Sequence, residues 1–456
     1  MLKKALTLSA LIVLTTMNQG CNTAKETTDS PDKLRLIVLD PGHFHADLLQ
    51  KAAYDQVDTV VYVYAPDGPE VKAYLAKVDQ YNTRAESPTH WKEEVYTGPD
   101  YLEKMLADKS GNVLVLAGNN QKKTNYIKQA VDAGLNVLAD KPMAIDSEGF
   151  ELLKEAFDSA EKNNVLLYDI MTERYEITNT LQKELAQQEA IFGQLQKGTT
   201  EKPAISKESV HHFSKIVSGS PLVRPAWFFD IKQQGEGIVD VNTHLVDLIQ
   251  WAAFPEQVVN PSDVNLISAK RWTTDLTPSQ FKQVTKMDSY PDYLTSSVKD
   301  STMSVYANGE INYTLKDIHA QVKVLWNFQA PEGAADTHYS IMRGSKANLI
   351  IRQGKEQNYK PMLYIESVGQ EDGYAQALEE AFKKVEALHP GIDLKKDSKG
   401  WQVMIPAKYD NGHEAHFAQV ARKYMEYLKD GKLPDWEVPN MITKYYTTTE
   451  ALKMAK

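Results

Sequence analysis

The chain has 456 residues, of which 42% are hydrophobic and 25% are charged, and its formal net charge at pH 7 is −10. This length and composition are ordinary for a globular protein with two large domains. The acidic balance, without a clustered basic patch, argues against a nucleic-acid partner. The single cysteine, Cys21, excludes intrachain disulfides.

The first 21 residues predict a signal for export and lipid attachment. Two lysines precede the apolar run Ala5–Val13, and Cys21 follows a small residue shortly after this run. This arrangement is typical of a bacterial lipoprotein signal. We therefore expect a periplasmic or outer-membrane-anchored lipoprotein of a Gram-negative bacterium, attached to the membrane through its lipid alone. Asn18 stands where such signals prefer an aliphatic residue, which leaves open a cleaved product without lipid.

After Cys21 a polar tether precedes a segment in which strands and helices alternate. Residues 22–33 carry too little apolar surface to fold. From Leu34 short apolar runs alternate with stretches of helical period, which predicts a doubly wound parallel sheet. We place this α/β, Rossmann-type domain at residues 34–175. Its predicted strands are Leu34–Leu39, Thr59–Tyr64, Asn112–Ala117, Asn136–Ala139 and Val165–Tyr168.

The second half, residues 176–456, has a different pattern and predicts an α+β domain. A helix rich in Gln and Glu over Asn179–Phe192 is followed by strand-like stretches. Asn308-Gly309 predicts a hairpin turn between two of these stretches. His319–Phe328 alternates apolar and polar residues, as a half-buried strand does. We therefore expect a large, mostly antiparallel sheet with helices on one face.

The turn after the first strand is where a dinucleotide-binding sheet places its phosphate contacts. Of the G-x-G-x-x-G pattern only Gly42 is present, because Asp40 and His45 stand at the other two glycine positions. Asp67, near the end of the second strand, would take the ribose hydroxyls of NAD, although it is equally a turn aspartate. The pattern also fits a turn in any flavodoxin-like sheet. The residues predicted to contact a cofactor here are Gly42, His43, Phe44 and Asp67.

Two downstream segments resemble motifs of a known family. The third predicted strand runs into Gly118-Asn119-Asn120, and residues 134–142 have the sequence G-L-N-V-L-A-D-K-P. They are similar to the Thr-Pro-Asn turn and the A-G-x-x-V-x-x-E-K-P motif of the glucose-fructose oxidoreductase / inositol dehydrogenase (Gfo/Idh/MocA) family. The resemblance implies a nicotinamide cofactor, NAD rather than NADP, with Lys141 helping to deprotonate a substrate hydroxyl. The cofactor contacts implied in this region are Asn119, Asn120, Asp140, Lys141 and Pro142.

Residues 235–251 resemble the family's second motif, G-G-G-x-x-x-D-x-G-x-H-x-x-D. Asp240, His244 and Asp247 are spaced by four and three residues, so they share one face of an otherwise apolar helix. Without the resemblance, this triad is interpreted as a satisfied buried polar network. The resemblance implies instead that Asp240 binds and orients the substrate. His244 would act with Lys141 as the acid or base.

Two further residues are assigned to the substrate by their position. Arg174-Tyr175 resembles the Arg-Phe where the family's chain enters its second domain, and Trp227 lies in a stretch that would flank the pocket, with core packing as the alternative. No metal site is predicted, since His413 and His416 share one helical turn without a third ligand. The resemblance also implies a homo-oligomer through the C-terminal sheet, although the alternation in that sheet suits a solvated face as well.

The leading hypothesis is an NAD(P)-dependent oxidoreductase acting on a sugar, polyol or glycoside. Free NAD is scarce outside the cytoplasm, so the cofactor would be tightly bound and recycled within one turnover. Two alternatives stay open. One is NAD-dependent glycoside cleavage through transient oxidation and elimination. The other is a non-catalytic carbohydrate-binding lipoprotein that has lost the cofactor.

Overall fold

The computed structural model describes residues 33–217, 220–369 and 373–456. The predicted signal, Cys21 and the tether up to residue 32 lie outside these residues. From Leu34 onward the chain forms one compact unit. Among the described residues, no helix combines the length and the hydropathy needed to cross a bilayer.

The N-terminal part is built on a six-stranded parallel sheet, as predicted. Its strands are β1 (Leu34–Leu39), β2 (Val57–Ala65), β3 (Lys92–Thr97), β4 (Val113–Leu116), β5 (Asn136–Asp140) and β6 (Leu167–Ile170). They lie in the order β3-β2-β1-β4-β5-β6, which confirms the doubly wound, Rossmann-type topology. The central strands are buried on both faces, which explains their nearly continuous apolar sequence. Strand β3 was missed because it is a polar edge strand.

Helices connect these strands, except after β1. They are α1 (Pro69–Thr83), α2 (Tyr101–Asp108), α3 (Asn120–Asp132) and α4 (Ser147–Lys162). Gly134 follows α3 with a φ of 81°, a conformation that favours glycine. Among the described residues, only a four-residue 3-10 helix, Leu48–Lys51, lies between β1 and β2, where a dinucleotide-binding sheet would have an α-helix.

The second part contains a ten-stranded sheet, and its mostly antiparallel character is confirmed. The strands of the second part are β7 (Ile205–Ser214), β8 (Ile216–Val217), β9 (Ser220–Pro221), β10 (Val264–Leu276), β11 (Val298–Lys299), β12 (Thr302–Leu315), β13 (Ile318–Gln329), β14 (Thr337–Arg343), β15 (Ala347–Gln353), β16 (Met362–Ser367), β17 (Asp393–Lys396) and β18 (Trp401–Met404). The sheet order is β10-β12-β13-β7-β14-β15-β16-β18-β17, with β11 beside β12 and with β8 and β9 forming a separate ribbon. Only β7 and β13 pair in parallel. The predicted alternation in β13 is confirmed, since Ala320, Val322, Val324 and Trp326 are buried.

The hairpin predicted at Asn308-Gly309 is wrong, because β12 runs straight through these residues. A Cβ on Gly309 would lie 2.6 Å from the Cβ of Ile238, so the glycine is needed for close packing rather than for a turn. The turn that joins β12 to β13 is Lys316-Asp317, whose φ angles of 47° and 67° are both positive. Two consecutive positive φ angles are typical of a type I′ hairpin turn.

Seven helices belong to the described residues of the second part. They are α5 (Ile177–Ala186), α6 (Glu189–Phe192), α7 (Val241–Ala253), α8 (Pro278–Thr285), α9 (Tyr374–Leu388), α10 (His413–Asp430) and α11 (Glu437–Ala455). The single helix predicted over Asn179–Phe192 is therefore two. Helices α10 and α11 pack into the core of the first sheet, where Tyr424 stacks on Tyr168 with ring centroids 5.9 Å apart. The domain boundary at residue 175 stays a prediction.

Candidate active site

A cavity of about 1270 Å³ lies between the carboxyl edge of the first sheet and the start of α7. Its size exceeds what a single small molecule needs, and its wall carries an unusual number of ionisable groups. Seven of the predicted site residues contribute to this wall. They are His43, Phe44, Asn120, Asp140 and Lys141 from the first part, and Asp240 and His244 from the second.

Lys141 and Asp240 form a buried ion pair in this cavity. Lys141 directly follows β5, and Asp240 precedes the first residue of α7, so the two elements meet at this pair. The Lys141 Nζ lies 2.6 Å from the Asp240 Oδ1, and Gln234 donates to the other carboxylate oxygen. Burial opposes ionisation of Asp240, but the charge and hydrogen bond of Lys141, together with the hydrogen bond from Gln234 and the nearby His43, hold the pKa of the carboxyl below its ordinary value. Asp240 is therefore a carboxylate at neutral pH.

His244 lies one helical turn after Asp240 and also faces the cavity. Burial, followed by the charge of Lys141, lowers the pKa of its imidazole to about 4. The ring is therefore neutral at pH 7. In the part of the chain that the structure describes, its buried Nδ1 has no hydrogen-bond partner. Lys141, Asp240 and His244 thus combine an ammonium donor, a carboxylate and a neutral imidazole in one cavity, which is a set of groups suited to proton transfer.

Arg174 does not belong to this cavity, contrary to the prediction that it binds substrate. Its guanidinium donates twice to Asp247, at 2.7 Å each, and also to Glu437 at 2.9 Å. Asp247 additionally accepts from the buried ammonium of Lys444. Every donating nitrogen of Arg174 is engaged and the side chain is buried, so the residue joins α7 to α11. Asp247 belongs to this structural network and not to the cavity.

Three other predicted residues also lie outside the cavity wall. Trp227 is buried in an aromatic cluster, which corrects its assignment to the substrate in favour of core packing. Asn119 caps α3 by accepting from the backbone of residue 121, while its amide donates to Gln233. Pro142, joined to Lys141 by a cis peptide bond, uses its carbonyl to accept from Lys123.

The turn after β1 folds back onto the end of β4. The backbone N–H groups of Gly42 and His43 both donate to the carbonyl of Ala117, at 3.3 and 3.2 Å. A Cβ on Gly42 would meet Trp227 at 3.4 Å, so the space beside this glycine is filled by protein. The amides that would face a pyrophosphate in a glycine-rich turn are therefore used within the fold.

Two histidines of the same turn meet the last residue of β5. The Nδ1 of His45 lies 2.9 Å from the Oδ2 of Asp140, and the Nδ1 of His43 lies 3.6 Å from the same oxygen. Burial is the main reason why the pKa values of both imidazoles fall well below the ordinary value. The sequence assigned His43 and Asp140 to a dinucleotide, but their side chains lie against each other and against His45.

The residues around the cavity fit one end of an NAD molecule and not the other. The nicotinamide end of the predicted site is present, since Asn120, Lys141 and the facing helix line one cavity. The phosphate end does not fit, because the turn amides are bonded internally and no α-helix begins after β1. Asp67, predicted to take the ribose, is well exposed, pairs with Lys72 and lies outside the cavity wall. The described residues therefore do not fit a dinucleotide held in the usual way.

Two ionisable residues of the cavity wall, His413 and Glu173, form a pair that the sequence did not predict. His413 opens α10, and its Nδ1 lies 3.4 Å from the Oε1 of Glu173. Burial would raise the pKa of Glu173, but the hydrogen bond and charge of His413 lower it. His413 was noted in the sequence, yet Glu173 gave no separate indication. Only the return of α10 to the first sheet brings the pair together.

Comparison with known proteins identifies the class. Residues 41–168 match the family described as "Oxidoreductase family, NAD-binding Rossmann fold". Residues 181–456, more than half of the chain, match that described as "Putative oxidoreductase C terminal domain". The chain therefore belongs to the Gfo/Idh/MocA family of oxidoreductases, which confirms the resemblance seen in the sequence. No curated protein matches the chain in sequence.

Solved structures give the same class. A putative oxidoreductase from Parabacteroides merdae is 57% identical over 93% of this chain and 98% of that one, with a TM-score of 0.91. Levoglucosan dehydrogenase in complex with NADH matches at 12% identity over 93% and 97% of the two chains, with a TM-score of 0.61. A putative oxidoreductase from Thermotoga maritima matches at 13% identity over 92% and 98%, with a TM-score of 0.57. The last two likenesses show the shared fold alone.

Proposed function

We propose that this protein is an oxidoreductase that acts on a sugar, polyol or glycoside, with Lys141, Asp240 and His244 moving the proton of a substrate hydroxyl. The observation that carries the proposal is the buried ion pair of Lys141 and Asp240, which opens onto the cavity. Oxidation of a hydroxyl-bearing carbon requires removal of the hydroxyl proton. A positioned acid–base group typically accelerates such a step by about 10²–10⁴-fold.

The three side chains have distinct roles in this proposal. The Lys141 ammonium donates to the substrate oxygen and stabilises the alkoxide as its proton leaves. The Asp240 carboxylate fixes the position of that ammonium and accepts from a neighbouring hydroxyl. His244, neutral and with an unpaired ring nitrogen among the described residues, accepts the proton.

A polyhydroxylated substrate suits the cavity wall, which carries both hydrogen-bond donors and acceptors. One fold neighbour, levoglucosan dehydrogenase, is known in complex with NADH and levoglucosan, and also with NADH and L-sorbose. That protein is only 12% identical to this chain, so it supports the substrate class and not an individual sugar.

Oxidation also needs a hydride acceptor. NAD is the acceptor that the family carries, but the altered turn argues against its usual phosphate contacts.

Mass spectrometry of the denatured protein tests for a tightly bound NAD(H) or NADP(H), and titration with both nucleotides tests for exchangeable binding. A bound nucleotide, followed by turnover of sugars or glycosides that is lost in Lys141→Met, is the expected result. Product chromatography beside absorbance then separates oxidation from net glycoside cleavage. A protein that binds neither nucleotide and turns over no sugar contradicts the proposal.

The filled phosphate turn favours one other candidate, a carbohydrate-binding protein without catalysis. Calorimetric titration with the same sugars distinguishes it, because that protein binds sugar without turnover. In this case Lys141→Met weakens binding, whereas loss of a purely catalytic group leaves binding nearly intact.

Membrane attachment through an acylated Cys21 is part of the same proposal, on the support of the sequence alone. Metabolic labelling with palmitate in a Gram-negative host tests it, with Cys21→Ala as the control. Labelling of the parent chain and not of Cys21→Ala is expected. If neither chain is labelled, the protein is the cleaved form without lipid. Light scattering of the same preparation measures the proposed homo-oligomer.

A further inference from the structure

The turn that departs from the dinucleotide pattern carries a compact group of potential metal ligands. One ligand atom from each of His43, His45 and Asp140 lies within 4.8 Å of the others. In a tetrahedral site with metal–ligand bonds of about 2.0–2.1 Å, the ligand atoms lie about 3.3 Å apart. The distances of 2.9 and 3.6 Å from the two imidazole nitrogens to Asp140 bracket this value.

The fold holds these ligands rigidly from different strands. His43 and His45 follow β1, Asp140 ends β5, and the two strands are separated only by β4 in the sheet. All three side chains are at most 15% exposed, and all three also line the cavity. A metal ion here would therefore have fixed protein ligands on one side and open positions toward the cavity, which is the arrangement of a catalytic site rather than a structural one.

The surrounding charges allow a dication. Lys141, which directly follows Asp140, carries an ammonium on the cavity wall, and Asp240 already neutralises it at 2.6 Å. The second ammonium, Lys123, is directed to the backbone carbonyls of Asp140 and Pro142. The carboxylates of Asp140 and Glu173 both line the cavity and offset the charge of a cation there.

A second observation indicates that a ligand enters the cavity that these three residues line. His244, in the same cavity wall, is buried with an Nδ1 that has no partner among the described residues, and His416 has the same unpaired atom. Buried polar atoms without partners are uncommon and indicate that a water, an ion or a substrate completes the site.

We propose that His43, His45 and Asp140 form a binding site for a divalent first-row transition metal ion. Two imidazoles and one carboxylate are ligands that Zn²⁺ and its neighbours prefer. The open positions face Lys141 and Asp240, so a hydroxyl or carbonyl oxygen of a polyhydroxylated molecule would complete the coordination. The site occupies the turn where the family's dinucleotide phosphates would lie. It goes beyond the proposed function, and it is tested on protein to which no nucleotide has been added.

The test is a titration of the purified, EDTA-treated and dialysed protein with Zn²⁺ against a chromophoric chelator. We expect one Zn²⁺ per chain in the parent protein. His45→Asn and Asp140→Asn each remove a direct ligand and should weaken binding by at least about 100-fold. His90→Asn is the matched control, because His90 is exposed and lies outside the cavity wall, and it should bind like the parent.

X-ray absorption of the zinc-loaded parent protein decides the matter even if a variant fails to fold. A first shell with two imidazole nitrogens and at least one oxygen supports the proposal. A shell of oxygen alone, no stoichiometric binding, or equal affinity in folded His45→Asn and Asp140→Asn overturns it. The nucleotide titration described above is a separate measurement, so failure of one proposal is distinguishable from failure of the other.

Discussion

Lys141 and Asp240 are 99 residues apart in sequence, yet the ammonium of one lies 2.6 Å from the carboxylate of the other. Each side chain is about one-tenth exposed, so replacement of either leaves a buried charge without its partner. The pair therefore joins the two parts of the chain at the point where the proposed substrate oxygen is held.

Lys141→Met is expected to lower the turnover of a sugar substrate by about 10²–10⁴-fold, because the variant lacks the ammonium that stabilises the substrate oxygen when its proton leaves. Steady-state kinetics measure this loss, and substrate titration shows whether binding persists. Lys104→Met, which removes an exposed lysine paired with Asp108, should leave turnover unchanged. Equal turnover in Lys141→Met and Lys104→Met would remove Lys141 from the mechanism.

Lys207 should make the stability depend on pH. Burial lowers the pKa of its ammonium to about 7 in the folded protein, against 10.5 when unfolded. The unfolded chain therefore binds the proton more tightly than the folded protein does. The free energy of unfolding consequently rises with pH between about 7 and 10.5, and the whole cost of burying a charged Lys207 applies below about pH 7. Lys207→Met removes the penalty. The difference in free energy of unfolding between Lys207→Met and the parent should therefore be about 3 kcal/mol more in favour of the variant at pH 6 than at pH 9.

Urea denaturation at the two pH values measures this difference for Lys207. The variant also loses hydrogen bonds to Gln182 and Ser340, but that cost is the same at both pH values. Lys202→Met, at an exposed position, provides the comparison and should show no such difference. An equal shift for both variants would mean that Lys207 is not the group responsible.

Arg174→Met is expected to destabilise the fold by about 3–5 kcal/mol, because it leaves the buried carboxylates of Asp247 and Glu437 without their shared partner. Thermal or urea unfolding measures the loss. Lys128→Met breaks the more exposed pair with Asp132 and should cost no more than about 1 kcal/mol. Similar costs for the two variants would contradict the structural role assigned to Arg174.

Gly309→Ala should cost about 1–3 kcal/mol, since the added methyl group would overlap Ile238 on the neighbouring segment. Gly354→Ala is a suitable comparison, because the nearest atom to its new Cβ would be 3.6 Å away. A stability measurement that ranks Gly354→Ala as the more damaging change would argue that β12 does not pass through Gly309 as described.

Much of the fold followed from local sequence pattern. The strand Leu34–Leu39 was predicted with its observed bounds, because an apolar run between a polar tether and a turn has one simple interpretation. The prediction at Asn308-Gly309 was wrong because a glycine can serve either a turn or a close contact. Only the position of Ile238 in the structure shows that Gly309 serves a close contact. Propensity describes a residue's neighbours in sequence and not its neighbours in space.

The candidate site was predictable only in part, for the same reason. Lys141, Asp240 and His244 came from motifs that the family places at one cavity, and the structure brings them to one cavity. Arg174 was misassigned because its partner Glu437 lies 263 residues away in sequence. The contact of His45 with Asp140 spans 95 residues, and no local pattern in either segment indicates it.

The return of α10 and α11 to the first sheet bears on the order in which the protein can fold during synthesis. Strand β6 emerges from the ribosome early, but Tyr424 and Tyr445, which complete the core around it, emerge last. The nascent N-terminal part must therefore remain with an uncovered apolar face while most of the second part is translated. Exposed apolar surface on a partly folded chain promotes aggregation, so the late arrival of α10 and α11 lengthens the period in which this risk applies.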